Sequence, residues 1–467
     1  MKRNFIPLIL LVSTIFGMSS CFSDTESEII LTDEVGITAF SVGTQKIIRD
    51  TVTSKGADST YQSTIDCSGY IFRINQTTHE IYNPDSLPVG IDAKKIICSL
   101  TTKSDATALI KNVDSDTINL FSSVDSIDFS SPRTLRIISL SGRASVDYTV
   151  KINIHTQKPN VFKWNQATEN QDIAGLSGFR AFALGGKIYV MGCEGNTPRI
   201  FVANEGNTVE WNEIDIAANL GAGFYKSVAI MGNSFYTYAE DGFVYSSNDG
   251  SNWNKVAPAT IERILGASNK MLYAISSDKK IMASADGTTW AEQQLDASAE
   301  LLPTDNYSII ARPLSTNQAA NRVVLAGTAT TASRIWSYIE ETDPTSEPQP
   351  WTYLNVASDN RFTLPCMKNL QVTYYDNFMM ATGGIEAEDG QTTVSPSFNT
   401  SVDGGMTWRT RALYDLPEEF SSEGDRFAFV KDSQNYLWMI ESTGKVWRGR
   451  LNRLGWQTEQ TYFGQQN

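Results

Sequence analysis

One unit of two apolar strands joined by a short polar turn recurs six times after Phe162, and this repetition constrains the fold more than any other feature. A third short strand and a tryptophan follow each hairpin. The hairpins begin at Phe182, Val228, Ile264, Ser308, Val372 and Phe427, and the tryptophans are Trp211, Trp253, Trp290, Trp351, Trp408 and Trp456. Their spacing brackets the ~40 to 50 residues of a four-stranded propeller blade. The repeat therefore predicts an all-β fold with a six-bladed β-propeller over residues 160–467.

A lone strand-like segment before the first hairpin leaves the number of blades open. The stretch Phe162–Asn165 resembles a fourth strand that lacks the first three. In many propellers such a segment closes the ring by pairing with the last blade, but here the last blade has Trp456 in the corresponding place. Either Trp164 or Trp456 lies outside the ring, or the propeller has seven blades. We expect six blades and keep seven as the alternative.

Three of the turns before a closing tryptophan share a pattern of serine, aspartate, glycine and tryptophan. The last copy matches Ser-x-Asp-x-Gly-x-x-Trp in full, and the two earlier copies are one residue shorter between aspartate and tryptophan. Together they comprise Ser247, Asp249, Gly250, Trp253, Ser284, Asp286, Gly287, Trp290, Ser401, Asp403, Gly405 and Trp408. The pattern resembles the Asp-box of BNR and sialidase-type propellers, and the second strand at Gly185–Gly192 resembles a kelch repeat.

These Asp-boxes are predicted to be structural elements. A short aspartate side chain accepts hydrogen bonds from turn amides, glycine adopts positive φ, and tryptophan packs against the neighbouring blade. A motif that repeats around a ring also does not converge on one ligand. We therefore expect the Asp-box residues to hold the blades together, and the sequence identifies no ligand-binding residues.

Residues 31–157 have a different sequence pattern, which consists of short segments in which apolar and polar residues alternate. Tyr70–Ile74 and Tyr148–Ile154 are examples. Period-two alternation between turn residues is typical of an antiparallel sandwich, here of ~seven strands. The stretch Ser139–His155 resembles the last hairpin of Ig-like modules in Bacteroidetes surface lipoproteins, which implies an Ig-like β-sandwich that acts as a spacer. The polar segment His155–Pro159 marks the domain boundary.

The first residues of the chain predict export and lipid anchoring. Two basic residues precede an apolar run from Phe5 to Phe16, which is typical of a secretory signal and too short to span a bilayer. The following Met18–Cys21 resembles the lipobox of bacterial lipoproteins. We therefore predict a signal peptide over residues 1–20, lipidation of Cys21 and a tether over residues 21–30. The alternative is a soluble secreted protein in which Cys21 is incidental.

Acidic residues follow the lipobox at Asp24, Glu26 and Glu28. They resemble the export signal of surface lipoproteins in the Bacteroidetes, and a short solvated linker is the alternative. The sequence thus predicts an outer-membrane protein that is lipid-anchored and exposed at the cell surface. The membrane would be a partner through the lipid anchor, because a multiply acylated cysteine buries enough methylene groups for stable attachment.

Charge and cysteine content exclude several classes of partner. A formal net charge of −14, without a compensating basic stripe, argues against nucleic acid. The cysteines beyond the lipobox, Cys67, Cys98, Cys193 and Cys366, form no CxxC pair, and the chain has 2 histidines, so a zinc cluster is not expected. We expect Cys67 and Cys98, which both lie within residues 31–157, to be unbridged. No metal and no cofactor is predicted.

The sequence contains no signature of catalysis. Phosphate-loop, nucleophile-elbow and zinc-protease motifs are absent from it. A sialidase would need three arginines that clamp a carboxylate, and the arginines near the blade openings raise the question whether they meet at the central pore. They are Arg180, Arg263, Arg312 and Arg426. A glycosidase requires only two carboxylates ~5 to 10 Å apart, which the sequence does not test. We predict no catalytic residues and keep a sialidase-like glycoside hydrolase as the alternative.

The lipobox, the sandwich and the Asp-box propeller together resemble DUF6242, an uncharacterised family of Bacteroidetes lipoproteins with an Ig-like N-terminal domain. The resemblance implies an envelope protein without assigned chemistry. We expect a non-catalytic binding module whose propeller loop face binds a glycan or an envelope protein, with Tyr225, Tyr307 and Tyr374 as candidates for sugar stacking. The alternatives are a glycoside hydrolase and a structural accessory subunit of an outer-membrane complex.

Overall fold

The structure is a computed structural model that describes residues 31–112, 117–206, 208–330, 332–341, 349–354, 360–457 and 459. The predicted signal peptide, the predicted lipidation site Cys21 and the tether lie outside these residues. The described chain divides into two compact units. Residues 31–157 form the first together with Gln457 and Glu459, and Lys158–Trp456 form the second. Within the first unit, the carboxylate of Glu459 pairs with the guanidinium group of Arg73 at 2.6 Å.

The first unit is built from short strands that share one core. Its described residues form ten strands: β1 (Ile37–Val42), β2 (Thr44–Val52), β3 (Asp58–Asp66), β4 (Arg73–Asn75), β5 (Glu80–Tyr82), β6 (Cys98–Thr102), β7 (Thr107–Lys111), β8 (Ile118–Leu120), β9 (Arg133–Ile138) and β10 (Ser145–Lys151). One sheet has the order β4-β5-β10-β9-β7-β8, while β1 pairs with β6 and β2 pairs with β3. Single 3-10 turns occur at Ala93–Lys95 and Lys103–Asp105.

Alternate side chains of this unit point into its core, as the period-two pattern predicted. Leu135 and Ile137 of β9 are buried, and so are Tyr148 and Val150 of β10. The predicted antiparallel sandwich contains one exception, because β10 runs parallel to β5. These two strands are separated along the chain by β6 to β9, and such a long crossover is what a parallel pair requires.

The second unit contains six sheets among its described residues. After β11 (Trp164–Glu169) and a short helix α1 (Gln171–Ala174), successive hairpins form one sheet after another. The first three sheets consist of β12 (Gly178–Leu184), β13 (Lys187–Glu194), β14 (Thr197–Asn204) and β15 (Asn212–Ile214); β16 (Ala229–Met231), β17 (Ser234–Tyr238), β18 (Phe243–Ser247) and β19 (Asn254–Pro258); and β20 (Arg263–Ala267), β21 (Leu272–Ile275), β22 (Ile281–Ser284) and β23 (Ala291–Glu292).

The fourth and fifth sheets are longer, and the sixth recruits a strand from the start of the unit. They consist of β24 (Asp305–Pro313), β25 (Asn321–Ala329), β26 (Ala332–Glu340) and β27 (Thr352–Tyr353); β28 (Lys368–Tyr375), β29 (Phe378–Glu386), β30 (Thr392–Val394), β31 (Asn399–Ser401) and β32 (Arg409–Thr410); and β33 (Ala428–Lys431), β34 (Leu437–Ile440) and β35 (Lys445–Gly449) with β11. The 3-10 turns of this unit lie at Phe224–Ser227, Ala299–Leu301, Ala412–Tyr414 and Asn452–Gly455.

Strand β11 completes the last sheet. It pairs antiparallel with β35, so that Trp164 lies opposite Gly449 and Glu169 lies opposite Lys445. Trp456 follows the 3-10 turn that begins at Asn452 and lies outside the sheets. Each of the other five closing tryptophans immediately precedes the fourth strand of its sheet, as the repeat predicted. Trp164, and not Trp456, therefore belongs to the fourth strand of the last sheet.

Consecutive sheets share hydrophobic cores all the way around the unit. Each of six buried clusters draws residues from two successive sheets, and one of them joins the sixth sheet to the first. In that cluster Trp438 and Val446 pack with Phe179 and Ile188. Because both faces of each sheet are covered, six successive residues of β13 from Ile188 are buried. The sheets therefore close into a ring, which is the arrangement of a β-propeller.

A channel runs along the axis of this ring. Its cavity of about 310 Å³ is lined by the first strand of every sheet, with residues from β12, β16, β20, β24, β28 and β33. These strands are held in place by the cores between the sheets. The channel wall is consequently a rigid surface built from all six sheets.

Candidate functional site

The channel opens at one end into a wider space, which we call the mouth cavity. It has a volume of about 650 Å³ and lies where the first strands of the sheets begin. Arg180, Lys226 and Tyr307 line both the mouth cavity and the channel, so the two spaces are continuous. The charged residues that line the mouth cavity are Arg180, Lys226, Arg263, Asp305, Lys368, Glu386, Glu423, Asp425 and Arg426.

Strand alternation directs Arg180 toward the axis of the ring. Its neighbours Phe179 and Ala181 are buried between the sixth and first sheets. Since successive side chains of a strand point to opposite faces, Arg180 faces the channel. In β20 the same alternation buries Ile264 and leaves Arg263 at the mouth. The blade cores thus fix the position of both guanidinium groups.

Two of the five cations at the mouth cavity are paired with carboxylates. Arg426 donates from Nε and Nη2 to Glu423 at 3.0 and 3.1 Å, and from Nη1 to the backbone carbonyls of Ala174 and Leu176 at 2.9 and 3.0 Å. Lys368 Nζ lies 3.0 Å from a carboxylate oxygen of Glu386. Both side chains are therefore neutralised by the protein itself.

The other three cations, Arg180, Lys226 and Arg263, have no carboxylate within 4.0 Å among the described residues. Burial and the neighbouring charge of Arg263 lower the pKa of Arg180 to about 10, although Tyr225 and Asp305 oppose this change. A guanidinium group with a pKa of about 10 is still cationic at neutral pH. The mouth cavity therefore holds unpaired positive charge within a chain whose net charge is strongly negative.

The three tyrosines proposed for sugar stacking have rings that face cationic side chains. The distance from Lys226 Nζ to the Tyr225 ring centre is 5.8 Å, from Arg263 Cζ to Tyr307 5.5 Å, and from Arg312 Cζ to Tyr374 4.9 Å. Tyr225 is also buried. Burial raises the pKa of Tyr307 to about 12. These rings anchor cations, and the ring faces that the cations cover are not open to a sugar.

The four arginines singled out in the sequence do not all meet. Arg180, Arg263 and Arg426 line the mouth cavity, whereas Arg312 lies near the far end of β24 and donates to the carbonyl of Asn377 at 3.5 Å. Sequence reasoning missed Lys226, Asp305 and Asp425. Their position in the repeat was the one signal that could have identified them, because these residues lie at or just before the first strand of a repeat.

The Asp-boxes form tight turns closed by their own side chains. In each of the three, the serine Oγ accepts a hydrogen bond at 2.9 Å from the amide of the glycine, which is Gly250, Gly287 or Gly405. The indole of Trp253 donates to the carbonyl of Gly250 at 2.7 Å, and that of Trp408 donates to Gly405 at 2.9 Å. The Trp290 indole nitrogen is buried without a hydrogen-bond partner among the described residues.

The aspartates of these turns are satisfied by local donors. The hydroxyl and amide of Thr288 lower the pKa of Asp286 to about 2. The pKa of Asp249 is also about 2, because hydrogen bonds from Asn252 and Ser251 outweigh the opposing effect of burial. At Gly405, φ is +102°, and a Cβ atom there would lie 2.9 Å from Ile335 of the preceding sheet. Glycine is therefore required both by the turn and by close contact between sheets.

Strand direction places the Asp-boxes on the face of the ring opposite the mouth cavity. Neighbouring strands of a sheet are antiparallel, so the first and third strands run in the same direction. The first strand begins at the mouth, and each Asp-box follows the end of a third strand, namely β18, β22 or β31. None of the twelve Asp-box residues lines the mouth cavity or the channel.

The four cysteines in the described part of the chain are free thiols. Cys67 and Cys98 are unbridged and buried, and burial raises the pKa of Cys98 to about 12. Cys193 is also buried, whereas Cys366 is exposed and lines the mouth cavity. No group of three or more metal-ligating side chains occurs in the ranges that the structure describes. Nor does any helix in those ranges have the length and hydrophobicity needed to cross a membrane.

Three solved structures illustrate the similarity of the chain to known folds. YjhT is 10% identical with a TM-score of 0.40, over 58% of this chain and 93% of that chain. An alpha-L-arabinanase from Penicillium chrysogenum complexed with arabinobiose is 14% identical with a TM-score of 0.33, over 62% and 96%. An endo-arabinase from Bacteroides thetaiotaomicron is 11% identical with a TM-score of 0.28, over 59% and 91%. No curated protein matches the chain.

Family models match both units. Residues 158–459 match the DUF6242 beta propeller domain, and residues 40–152 match the DUF6242 N-terminal domain. The predictions of an all-β chain with a propeller domain and of a resemblance to this family are thereby confirmed. The chain belongs to the DUF6242 family, whose N-terminal domain and beta propeller domain it carries in that order.

Proposed function

We propose that this chain is a lipid-anchored envelope protein whose propeller binds a glycan non-catalytically in the mouth cavity. The six sheets are the blades of a six-bladed ring, and structural Asp-boxes form turns in three of them. The first unit serves as an Ig-like spacer between the lipid on Cys21 and the ring. The acidic segment from Asp24 to Glu28 directs the protein to the outer surface of the outer membrane in a bacterium of the Bacteroidetes.

The observation that carries this proposal is the mouth cavity at the end of a channel ringed by all six first strands. Its volume of about 650 Å³ falls within the ~300 to 1,000 Å³ of small-molecule sites. The strands beneath it are fixed by hydrophobic cores on both sides. A rigid wall loses little conformational entropy when a ligand binds, which favours binding.

The chemistry of the lining favours a polar ligand. Among the residues that line the mouth cavity, charged and amide side chains outnumber aliphatic ones, and several of them are exposed, including Lys226, Asp305 and Asp425. Sugar hydroxyl groups both donate and accept hydrogen bonds, so a wall that offers cations and carboxylates together is suited to a glycan.

A glycoside hydrolase is the second candidate, because two carboxylates in the mouth cavity are available for chemistry. Asp305 and Asp425 both line it, and neither has a cationic partner within 4.0 Å among the described residues. Glu386 and Glu423 are instead paired with Lys368 and Arg426. Two carboxylates that flank a glycosidic bond are the minimal machinery of most glycosidases.

The test is a glycan-array screen of the chain from Phe22 onward, run beside an assay for released reducing ends. Alkylation of Cys366 reports whether a glycan occupies the mouth cavity, because the other three described cysteines are buried. We expect saturable binding, slower alkylation of Cys366 and no release of reducing ends. Partial desolvation by its neighbours raises the pKa of the exposed Cys366 thiol, so the alkylation is run at alkaline pH.

Each other outcome separates the candidates. Release of reducing ends that is lost in Asp305→Asn or Asp425→Asn would establish the hydrolase. Glycan binding that leaves the alkylation rate of Cys366 unchanged would place the binding site elsewhere and contradict the proposed site. Failure of every glycan to bind would contradict the proposed function.

A further inference from the structure

The cations of the mouth cavity divide into a paired set and an unpaired set. Lys368 and Arg426 are neutralised by carboxylates at 3.0 Å. Arg180, Arg263 and Lys226 have no carboxylate within 4.0 Å in the described ranges. Surface arginines are ordinarily solvated, but the guanidinium groups of Arg180 and Arg263 are partly buried in the wall of a half-open cavity, where electrostatic interactions are less screened than in bulk water.

The two arginines are close enough to influence each other. Burial, and after it the charge of Arg263, lowers the pKa of Arg180, while Tyr225 and Asp305 oppose this change. Like charges that are held together by the fold destabilise one another, and an anion bound between them relieves this repulsion. Arg263 is also positioned by the ring of Tyr307, 5.5 Å from its Cζ. Its guanidinium group is therefore oriented before any ligand arrives.

The aromatic residues at the mouth contribute little to direct stacking. Lys226 lies over the ring of Tyr225, and Arg263 lies over the ring of Tyr307. Recognition in the mouth cavity thus depends on charge and hydrogen bonds. The planar guanidinium group donates two parallel hydrogen bonds to a carboxylate or sulfate, which gives it both strength and directionality.

Building on the proposed function, we propose that the glycan bound in the mouth cavity carries an anionic group, a carboxylate or a sulfate. Arg180 binds this group together with Arg263, and Lys226 contributes a third positive charge where the mouth cavity meets the channel. Asp305 and Asp425 accept hydrogen bonds from the hydroxyl groups of the same saccharide. The mouth cavity thus selects acidic glycans over neutral ones in a protein whose overall charge repels anions.

The experiment is calorimetric titration of the chain from Phe22 onward with four probes. They are tri-galacturonate, its uncharged methyl ester, a sulfated glycosaminoglycan disaccharide and a tri-glutamate peptide. We expect tri-galacturonate or the sulfated disaccharide to bind and to slow the alkylation of Cys366, and the ester to bind at least tenfold more weakly. Comparison of the first and third probes identifies which anionic group is preferred.

Variants locate the interaction on named residues. Arg180→Gln is expected to weaken binding of the acidic probe by about ten- to hundredfold, and Arg180→Lys by less, because lysine keeps the charge and loses the planar fork. Lys187→Gln is the matched control, since it removes one exposed cation at the start of β13, on the opposite face. Lys226→Gln tests the same site at an exposed residue, where we expect replacement to leave the melting temperature nearly unchanged.

The outcomes distinguish this inference from the proposed function on which it rests. The inference would be overturned if the ester and the acid bound equally well in the mouth cavity and if neither Arg180→Gln nor Lys226→Gln changed the affinity for the acidic probe. Glycan binding itself would then still stand. Binding of no saccharide would overturn both. Occupancy of the mouth cavity by tri-glutamate alone would also overturn both, in favour of an acidic protein partner.

Discussion

The aspartates of the Asp-boxes and the cations of the mouth cavity differ in whether the fold satisfies their charges. Asp403 accepts hydrogen bonds from the amide and the hydroxyl of Thr407 at 3.0 and 2.6 Å. Arg180 and Arg263 have no comparable partner among the described residues. A satisfied buried charge stabilises a turn, whereas an unsatisfied one is a candidate for ligand binding.

The first prediction concerns the acid stability of an Asp-box. Burial opposes ionisation of Asp403, but hydrogen bonds from Thr407 and Ser401 outweigh it and lower the pKa below the ordinary 3.8. Because the folded-state pKa is the lower one, the stabilisation is complete above pH 3.8 and is lost as the pH falls through the folded-state value. We expect Asp403→Asn to reduce the free energy of unfolding by about 1 to 2 kcal/mol at pH 7.

Urea unfolding at a series of pH values measures this effect. The difference between Asp403→Asn and the wild type should shrink as the pH falls below 3.8, since the protonated aspartate resembles asparagine. Replacement of the exposed Glu210 by glutamine changes the net charge equally and serves as control. A difference that stays constant with pH would show that the charge of Asp403 is not what stabilises the turn.

The candidate site was predictable at the residue scale only in part. Arg180 and Arg263 were found because they begin or nearly begin a strand of the repeat. Lys226 lies in a 3-10 turn between sheets, where the repeat has no fixed pattern. The pairing of Arg426 with Glu423, which removes it from the unpaired set, depends on side-chain geometry that spacing does not encode.

Among the secondary-structure elements, the hairpins were predictable and the closure of the ring was not. Apolar periodicity is local, so the first two strands of every sheet were found within a few residues of their observed bounds. The partner of β11 is β35, near the other end of the unit, and no local pattern records such a pairing. The repeat therefore left Trp164 and Trp456 as equal candidates until their pairing was known.

The second prediction tests the contribution of β11 to the ring. The indole of Trp164 donates to the carbonyl of Tyr414 at 3.1 Å and stacks on Phe398 with ring centres 6.1 Å apart. Loss of this partly buried side chain removes packing between the fifth and sixth sheets. We expect Trp164→Ala to lower the free energy of unfolding by about 2 to 4 kcal/mol in chemical denaturation.

Asn165 provides the matched control on the same strand. Its side chain is exposed, and it lies opposite Arg448 in the register of β11 and β35. Asn165→Ala should change the free energy of unfolding by less than about 0.5 kcal/mol. Equal effects of the two substitutions would argue that β11 pairs through its backbone alone and that Trp164 adds no packing energy.

At the scale of the whole molecule, the proposed anchor predicts how the protein partitions. A lipidated Cys21 should carry the chain into the detergent phase of a Triton X-114 extraction and incorporate a labelled fatty acid. Cys21→Ser should abolish both, whereas Cys366→Ser, which changes an exposed thiol of the propeller, should abolish neither. Detergent partitioning of the Cys21→Ser variant would show that another feature attaches the protein to the membrane.

The two units of the molecule have separate hydrophobic cores. One cluster contains only residues from Ile37 to Ile152, while the six clusters of the ring contain only residues from Phe162 to Leu451. Both partners of the closing strand pair, β11 and β35, belong to the second unit. All the contacts that close the ring are therefore encoded between Lys158 and Trp456, which is what an autonomously folding domain requires.

The last prediction compares two fragments that differ only in residues 158–170, which contain the closing strand β11. Residues 158–457 should fold alone and melt in one cooperative calorimetric transition, because every sheet keeps its full set of strands. Residues 171–457 lack β11, so β35 becomes an exposed edge and the core between the fifth and sixth sheets loses the buried ring of Phe162. We expect this shorter fragment to melt several degrees lower and to aggregate. If both fragments melt alike, the cores between the sheets hold the ring without its closing strand; if neither folds, the propeller depends on the first unit.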